Sequence, residues 1–259
     1  MNITKSNMTP EQLRERHSVR AYTDEAIDQS IVNKLRAEVS MTNCHEAGLH
    51  FQFFFDEPDP FRGFSKSYGI FVNPRNYIAC VVDPAFPDAL ERAGYFAQQF
   101  CIKALEFGLG TCYVGGTYDS SRVKAQIRAG EQLLFLVLFG YPAEKERIAA
   151  RLMMKMIHRN DLTARDFFKG DDEQYRNALD RFPWLADGLE ALTSAPSSLN
   201  KQPVRIFIKN PDQENAAVCA KVDTKVTKNL IDLGIGKYNF AAAAGGDWEW
   251  GNRSPFWKE

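Results

Sequence analysis

The 259-residue chain balances 32 lysines and arginines against 33 aspartates and glutamates, and 44% of its residues are hydrophobic. That apolar share can fill a substantial core and argues against disorder, while the near-neutral balance lacks the positive field that binding to a phosphate backbone needs, so nucleic acid is not expected. No apolar run is long enough to cross a bilayer and residues 1–15 are polar, so the expectation is a cytoplasmic protein with no membrane association. The five cysteines (Cys44, Cys80, Cys101, Cys112 and Cys219) are odd in number and scattered without CxxC spacing. They fit neither a disulfide framework nor a zinc site, and no metal is expected.

In chain order, Thr9-Pro10-Glu11-Gln12 reads as a helix start, with Thr9 capping, Pro10 in the first turn and Gln12 able to reach back. Ile31, Leu35 and Val39 recur at helical spacing from Asp28 onward, and Phe51–Phe55 and Tyr77–Val82 are apolar, β-favouring runs bounded by turn residues. From Asp88 to Phe107 apolar positions cover most of a helical surface, which predicts a central helix buried on nearly every side. Gly108 and Gly110 end it, a glycine-bearing turn runs through Gly115 and Gly116, and Leu133–Phe139 reads as a buried strand. The class is α+β.

Residues 149–174 are charge-rich, with a helical stretch only around Leu152–Ile157, and read as a connector between two halves, 1–155 and 156–259. Laying Leu185–Lys209 over Ile31–Phe55 without a gap places Leu189 on Leu35, Ser194 on Ser40 and the strand Val204–Ile208 on His50–Phe54. Leu230–Ala244 repeats the central helix in shorter form, with Gly234 and Gly236 on its faces. Glycine in a helix costs about 1 kcal/mol relative to alanine, so close packing is the expected reason for it.

Three segments carry chemistry. Arg16-His17-Ser18-Val19-Arg20-Ala21-Tyr22 gathers guanidinium forks and a hydroxyl suited to a phosphate monoester, although a solvated basic helix end has the same composition. Ala195-Pro196-Ser197-Ser198-Leu199-Asn200-Lys201-Gln202-Pro203 is a polar loop pinned by prolines and offering neutral hydrogen bonds, and it also fits an ordinary rigid turn. In Gly108-Leu109-Gly110-Thr111-Cys112-Tyr113-Val114-Gly115-Gly116 the missing side chains would let a flat ligand lie against the backbone.

Taken together and in this order, the three segments resemble the FMN-dependent nitroreductase family, and the resemblance spans most of the chain. It implies a nitroreductase-like α+β fold of two pseudo-repeated halves, with antiparallel-rich sheets packed on a buried core helix. It also implies an NAD(P)H oxidoreductase that passes electrons from NADH or NADPH through bound FMN to a nitroaromatic, quinone or similar small-molecule acceptor. Family enzymes are homodimers with the flavin at the subunit interface, whereas here each set of contacts occurs once. The segment at the place usual for the serine loop is Met41-Thr42-Asn43-Cys44-His45-Glu46, with Glu46 where the intact copy has Asn200, and nothing near Arg165–Phe168 matches RHSVR. The expectation is therefore a monomer that is a fused pseudo-dimer, or a higher homo-oligomer of it, with one live flavin site.

By the same resemblance Arg16, His17, Ser18 and Arg151 bind at the phosphate end, Arg20 tunes the ring, and Tyr113, Val114, Gly115 and Gly116 flank it. Tyr68 and Gly69 approach it, and Pro196, Ser197, Ser198 and Asn200 complete the cofactor set. No protein side chain is expected to act as a nucleophile, since the cofactor carries the chemistry. A metabolite-specific flavin enzyme on the same scaffold, or a non-catalytic flavin-binding or sensory protein, would share these features.

Overall fold

A computed structural model describes residues 7–63, 69–144 and 162–258. By packing, the chain forms two compact units that exchange segments. One comprises the described residues up to Glu15, Leu90–Gln98 and the described residues from Leu162 onward; the other comprises those of Arg16–Ala89 and of 99–144. The central helix runs through both.

The second of these units is built on a four-stranded antiparallel sheet. Helix α1 (Pro10–Glu15), which belongs to the first unit, opens with reciprocal capping, Thr9 N donating to Gln12 Oε1 at 2.9 Å and Gln12 N to Thr9 Oγ1 at 3.3 Å. Helix α2 (Gln29–His45) starts at Asp28, whose carboxylate accepts from Ser30 N at 2.7 Å, and buries Val32, Leu35, Val39 and Thr42. Strands β1 (Leu49–Phe54), β2 (Tyr77–Val82), β3 (Gly110–Val114) and β4 (Gln132–Gly140) pair in the order β1-β2-β4-β3. Every residue of β2 is buried, as a central strand lacking polar alternation requires. The core on one side of this sheet contains Val19, Tyr22, Phe61, Phe71, Val114 and Leu136.

Helix α3 (Ala89–Glu106) is the central helix that the sequence predicts. In the first unit it is followed by α4 (Ala164–Phe167), α5 (Asp172–Arg181), α6 (Leu185–Leu192), β5 (Arg205–Lys209), β6 (Ala217–Lys221), α7 (Lys228–Ala244), β7 (Asp247–Trp248) and β8 (Phe256–Trp257). Strands β5 and β6 form one antiparallel hairpin and β7 and β8 another, linked by an antiparallel bridge from Cys219 to Pro255 and by Arg253 N donating to Ala220 O at 2.8 Å. The order β5-β6-β8-β7 thus repeats β1-β2-β4-β3, and in each case the helix of the pattern lies between the two hairpin pairs in sequence.

The first part of α3 crosses α7 at two glycines. A Cβ on Gly94 would run into the carbonyl of Ile231, and one on Gly234 into the carbonyl of Glu91, three residues before the opposite glycine in each case. That reciprocity is the relation expected of a two-fold contact between equivalent helices. Beside the crossing, Lys237 Nζ is completely buried and meets Glu91 at 2.6 Å and the carbonyls of Glu249 and Gly251 at 3.0 and 2.9 Å. Gly251 N in turn donates to Glu91 Oε2 at 3.0 Å, so the buried pair is held by hydrogen bonds as well as by charge. Gln98 Nε2 donates to Asn239 Oδ1 at 2.8 Å one turn further along.

Two expectations need correction. The stretch read as a glycine-rich turn from Gly108 to Gly116 contains the five-residue strand β3, an edge strand held by its pairing with β4. In the stretch read as a featureless connector, the described part holds α4 and the start of α5, each with a capping box, Thr163 with Asp166 and Asp171 with Gln174. The helical stretch expected at Leu152–Ile157 lies outside the described residues. Among the described residues no helix is long and apolar enough to cross a membrane.

Candidate functional site

Residues 16–22 form a ribbon wedged between β3 and the segment 70–72. Val19 N donates to Thr111 O at 2.9 Å, Val72 N to Arg20 O at 2.9 Å, Tyr22 N to Val72 O at 3.0 Å, and the buried hydroxyl of Tyr22 to Val19 O at 2.7 Å. With its apolar members Val19, Ala21 and Tyr22 buried, the ribbon has its polar members fixed in place: His17 is exposed, and Ser18 and Arg20 are half-buried. Arg20 Nη1 donates back to Ser18 O at 3.2 Å.

Arg16 is the exception to this tidy accounting. It is 7% exposed, yet its Nε and Nη1 are buried with no hydrogen-bond partner among the described residues. Arginine cannot shed its charge in a protein, so an enclosed guanidinium with two idle donors is a configuration that folding alone disfavours. Its surroundings are Cys101 and Tyr113. Burial pushes the Cys101 thiol up and Arg16 pulls it down; burial likewise raises the Tyr113 hydroxyl well above its ordinary range, opposed by Arg16.

Beyond Tyr113 the chain turns outward. The side chain of Val114 is buried in the core of the unit, which leaves its backbone for any ligand contact, whereas Gly115 and Gly116 are exposed. A Cβ at either glycine would meet nothing within 4 Å, and neither has a positive φ. No turn geometry explains glycine at these two positions, and the open space before them does suit a flat molecule lying against the backbone. Gly69 has φ +62°, a left-handed conformation that favours glycine. Tyr68 and Arg151 lie outside the described residues.

The loop from Ala195 to Pro203 has a different character. Leu199, Asn200 and Gln202 all have positive φ (52°, 54° and 45°), a strained state for side-chain-bearing residues that surrounding bonds must hold. Gln202 N donates to Ser197 Oγ at 2.8 Å, Gln202 Nε2 to Thr193 O at 3.2 Å, and Arg205 Nη1 to Gln202 O at 2.7 Å. The bond to Ser197 uses the oxygen as acceptor and keeps its O–H as a donor. Leu199 is 65% exposed, so the strain presents an apolar side chain outward beside half-buried Pro196, Ser197, Ser198 and Asn200.

Under this loop sits Asp232, a residue the sequence reading passed over. Its Oδ1 accepts from Ser198 N at 3.0 Å, while its Oδ2 and Gln202 Oε1 are buried without partners among the described residues. Both residues line a recess of about 10 Å³, roughly the room one water needs. Burial pushes the Asp232 carboxyl up to about 6, against the pull of the Ser198 amide. A signal existed: Asp232 is the one charge within Leu230-Ile231-Asp232-Leu233-Gly234-Ile235.

The sign of the consequence follows. The folded carboxyl titrates above its ordinary value of 3.8, so its contribution to stability is complete below about pH 4 and is lost as pH rises through about 6. The loss amounts to about 3 kcal/mol at most. Asp232→Asn, which keeps the acceptor for Ser198 N, should raise the melting temperature by several degrees at pH 8 and by almost nothing at pH 4. Thermal scans giving the same change at both values would contradict the assignment.

The sequence matches the family model described as "Putative TM nitroreductase" over residues 8–244. Among solved structures, a Thermotoga maritima protein described as "a putative nitroreductase" is 16% identical with a TM-score of 0.58, the match covering 99% of this chain and 95% of that one. An FMN-dependent nitroreductase of Clostridium difficile (19% identity, TM-score 0.42) matches 58% of this chain and 98% of its own. A Bacteroides fragilis nitroreductase with bound FMN (19%, TM-score 0.43) matches 53% and 90%. No curated protein matches. The family match extends over nearly the whole chain and the likeness to the Thermotoga protein shows the same fold, so this chain belongs to the nitroreductase family described by that model and is an oxidoreductase of α+β architecture.

Proposed function

We propose that the chain is an FMN-dependent NAD(P)H oxidoreductase acting on a nitroaromatic, quinone or similar small acceptor. The observation that carries this reading is Arg16: a buried guanidinium with two nitrogens unpartnered among the described residues is what a phosphate monoester would satisfy, in charge and in forked geometry. The open backbone at Gly115 and Gly116 fits the cofactor's flat ring. FMN when bound supplies the hydride-accepting and hydride-donating chemistry.

The chain's own residues bind and orient. Arg16 and Ser18 would hold the phosphate, with His17 beside them and Arg151 as a further contact. Arg20, anchored by its bond to Ser18 O, would place a fixed positive charge where the ring gains electrons. The backbone amides at 115 and 116 and the residues Tyr68, Gly69, Tyr113 and Val114 would line the ring. Pro196, Ser197, Ser198 and Asn200 would add neutral hydrogen bonds from a loop whose strained conformation is held from beneath by Asp232. Both residue sets would serve one FMN per chain, reduced by NADH or NADPH and reoxidised by the acceptor.

The repeated strand order and the reciprocal glycine crossing support reading the halves 1–155 and 156–259 as two copies of one ancestral unit, fused in one chain. Under that reading Asn200→Asp should weaken FMN binding by about 10- to 100-fold, because a carboxylate loses the amide's donor and adds charge near an anionic ligand. The left-handed backbone at 200 accepts aspartate as it does asparagine, so the fold should survive. Glu46→Gln, in the divergent copy, should leave affinity unchanged. Fluorescence titration with FMN measures both, and the opposite pattern would mean that the live and dead loops are reversed. Anaerobic addition of NADH or NADPH to the FMN-loaded protein should bleach the visible colour, and colour that persists with either would contradict the enzymatic reading.

A further inference from the structure

Away from the residues assigned above, the first unit contains a cleft of about 310 Å³ whose charged lining is mostly positive: Arg205, Lys221 and Arg253, with Asp223 at its edge. Its construction concentrates like charge. Arg205 and Lys221 are direct register partners across the β5–β6 hairpin, a position where like charges repel. Lys221 Nζ lies 5.2 Å and the Arg253 guanidinium carbon 5.6 Å from the centre of the Phe207 ring, so one aromatic side chain of β5 gathers a cation from β6 and a cation from the loop before β8. Lys169, next to the bridge between Phe168 and Ile206, adds a further cation near Lys221, although it is not part of the cleft's lining.

The acids do not balance this. Asp223 is exposed and accepts from Lys225 N, and Asp166, which pulls on Arg205, is already engaged by Thr163 N and Oγ1 at 2.8 Å. The nearness of the Lys169 ammonium, with burial and the nearness of Arg253, lowers the Lys221 pKa to about 8. The loop carrying Arg253 is fixed rather than free to splay. Asn252 bonds Val222 in both directions, accepting from its N–H at 2.9 Å and donating to its carbonyl at 3.2 Å, and Arg253 itself has φ +74°, an unusual state for a long side chain.

We propose that this cleft is a second ligand site that binds a small phosphomonoester, its phosphate held among Lys169, Lys221 and Arg253 with Arg205 behind. A dianion relieves the repulsion between the register partners and lets the two lysines share an acceptor. The cleft's volume, at the lower end of the range for small-molecule pockets, exceeds the needs of a bare anion, and Pro203 and Val222 offer apolar surface for the esterified group.

Calorimetric titration of the full chain with sulfate, a dianion throughout the range, tests the anion site. Because binding favours charged Lys221, affinity should be flat below about pH 8 and about tenfold weaker at pH 9 than at pH 7. Lys221→Met should abolish the pH dependence and weaken binding at least tenfold; Arg253→Gln, at an exposed position, should weaken it severalfold and keeps the test open should the first variant fold poorly. Protein saturated with FMN, whose phosphate would occupy the site at Arg16, should keep this pH-dependent sulfate binding. Ribose 5-phosphate should bind at least tenfold more tightly than inorganic phosphate. Absence of saturable sulfate binding, binding unchanged in both cleft variants, or its loss in FMN-saturated protein would overturn the site, and equal affinities for the ester and inorganic phosphate would overturn its assignment to a phosphomonoester.

Discussion

Replacing Arg16 by methionine should raise the melting temperature of the flavin-free protein by a few degrees while weakening FMN binding by about two orders of magnitude. The two effects have one cause. Among the described residues Nε and Nη1 of Arg16 are enclosed and have no partner, and each such group costs about 1–3 kcal/mol relative to its solvated state. Methionine has a similar reach and fills the space beside Cys101 and Tyr113 without polar atoms to satisfy. Since 1 kcal/mol corresponds to roughly 2–4 °C for a chain of this size, removing even part of the penalty is visible in a thermal scan. With phosphate present the balance inverts, because a forked charge-assisted contact contributes about 3 kcal/mol that methionine cannot replace. An arginine serving only the fold would give a lower melting temperature and an unchanged affinity, and that outcome would remove the main support for the flavin reading.

Gly234→Ala should destabilise the chain by at least about 3 kcal/mol and lower its melting temperature by roughly 10 °C. Helix propensity alone predicts the reverse, since alanine is favoured over glycine inside a helix by about 1 kcal/mol. The difference arises because the added methyl would overlap the Glu91 carbonyl, a backbone atom that cannot move aside without separating α7 from α3. Separation would also stretch the buried contact of Lys237 with Glu91 and the bond from Gln98 to Asn239. Gly94→Ala, which meets the Ile231 carbonyl, should act alike, and comparable losses at the two positions are the energetic counterpart of their reciprocal geometry. A rise in melting temperature at either glycine would show that the helices are not in backbone contact there.

Much of the fold was legible because its signals are local. The Thr9–Gln12 box, the helical spacing of Ile31, Leu35 and Val39 and the wholly apolar run of β2 each announce themselves within a few residues. Strand β3 was hidden since its glycines suggested a turn, and what makes it a strand is pairing with β4 some twenty residues later. The two-residue strands β7 and β8 have no periodicity to detect and exist through tertiary contact. The same distinction governs function. The motif at 16–22 was visible as a cluster of donors, but only burial distinguishes Arg16, enclosed and unpartnered, from Arg20, which is bonded to Ser18 O. Asp232 was missed because it reaches the serine loop from 34 positions away in sequence, and the cation cleft because strand register brings Arg205 opposite Lys221.

A single flavin site assembled from one chain is tested most directly by stoichiometry. Protein stripped of cofactor and titrated with FMN at concentrations well above the dissociation constant should reach a sharp end point at one FMN per chain, read by quenching of flavin fluorescence. The chain concentration should be fixed independently by amino-acid analysis. Two FMN per chain would mean that the divergent copy around Glu46 still binds, and an end point of one FMN per two chains, or no end point at all, would contradict the fused site outright.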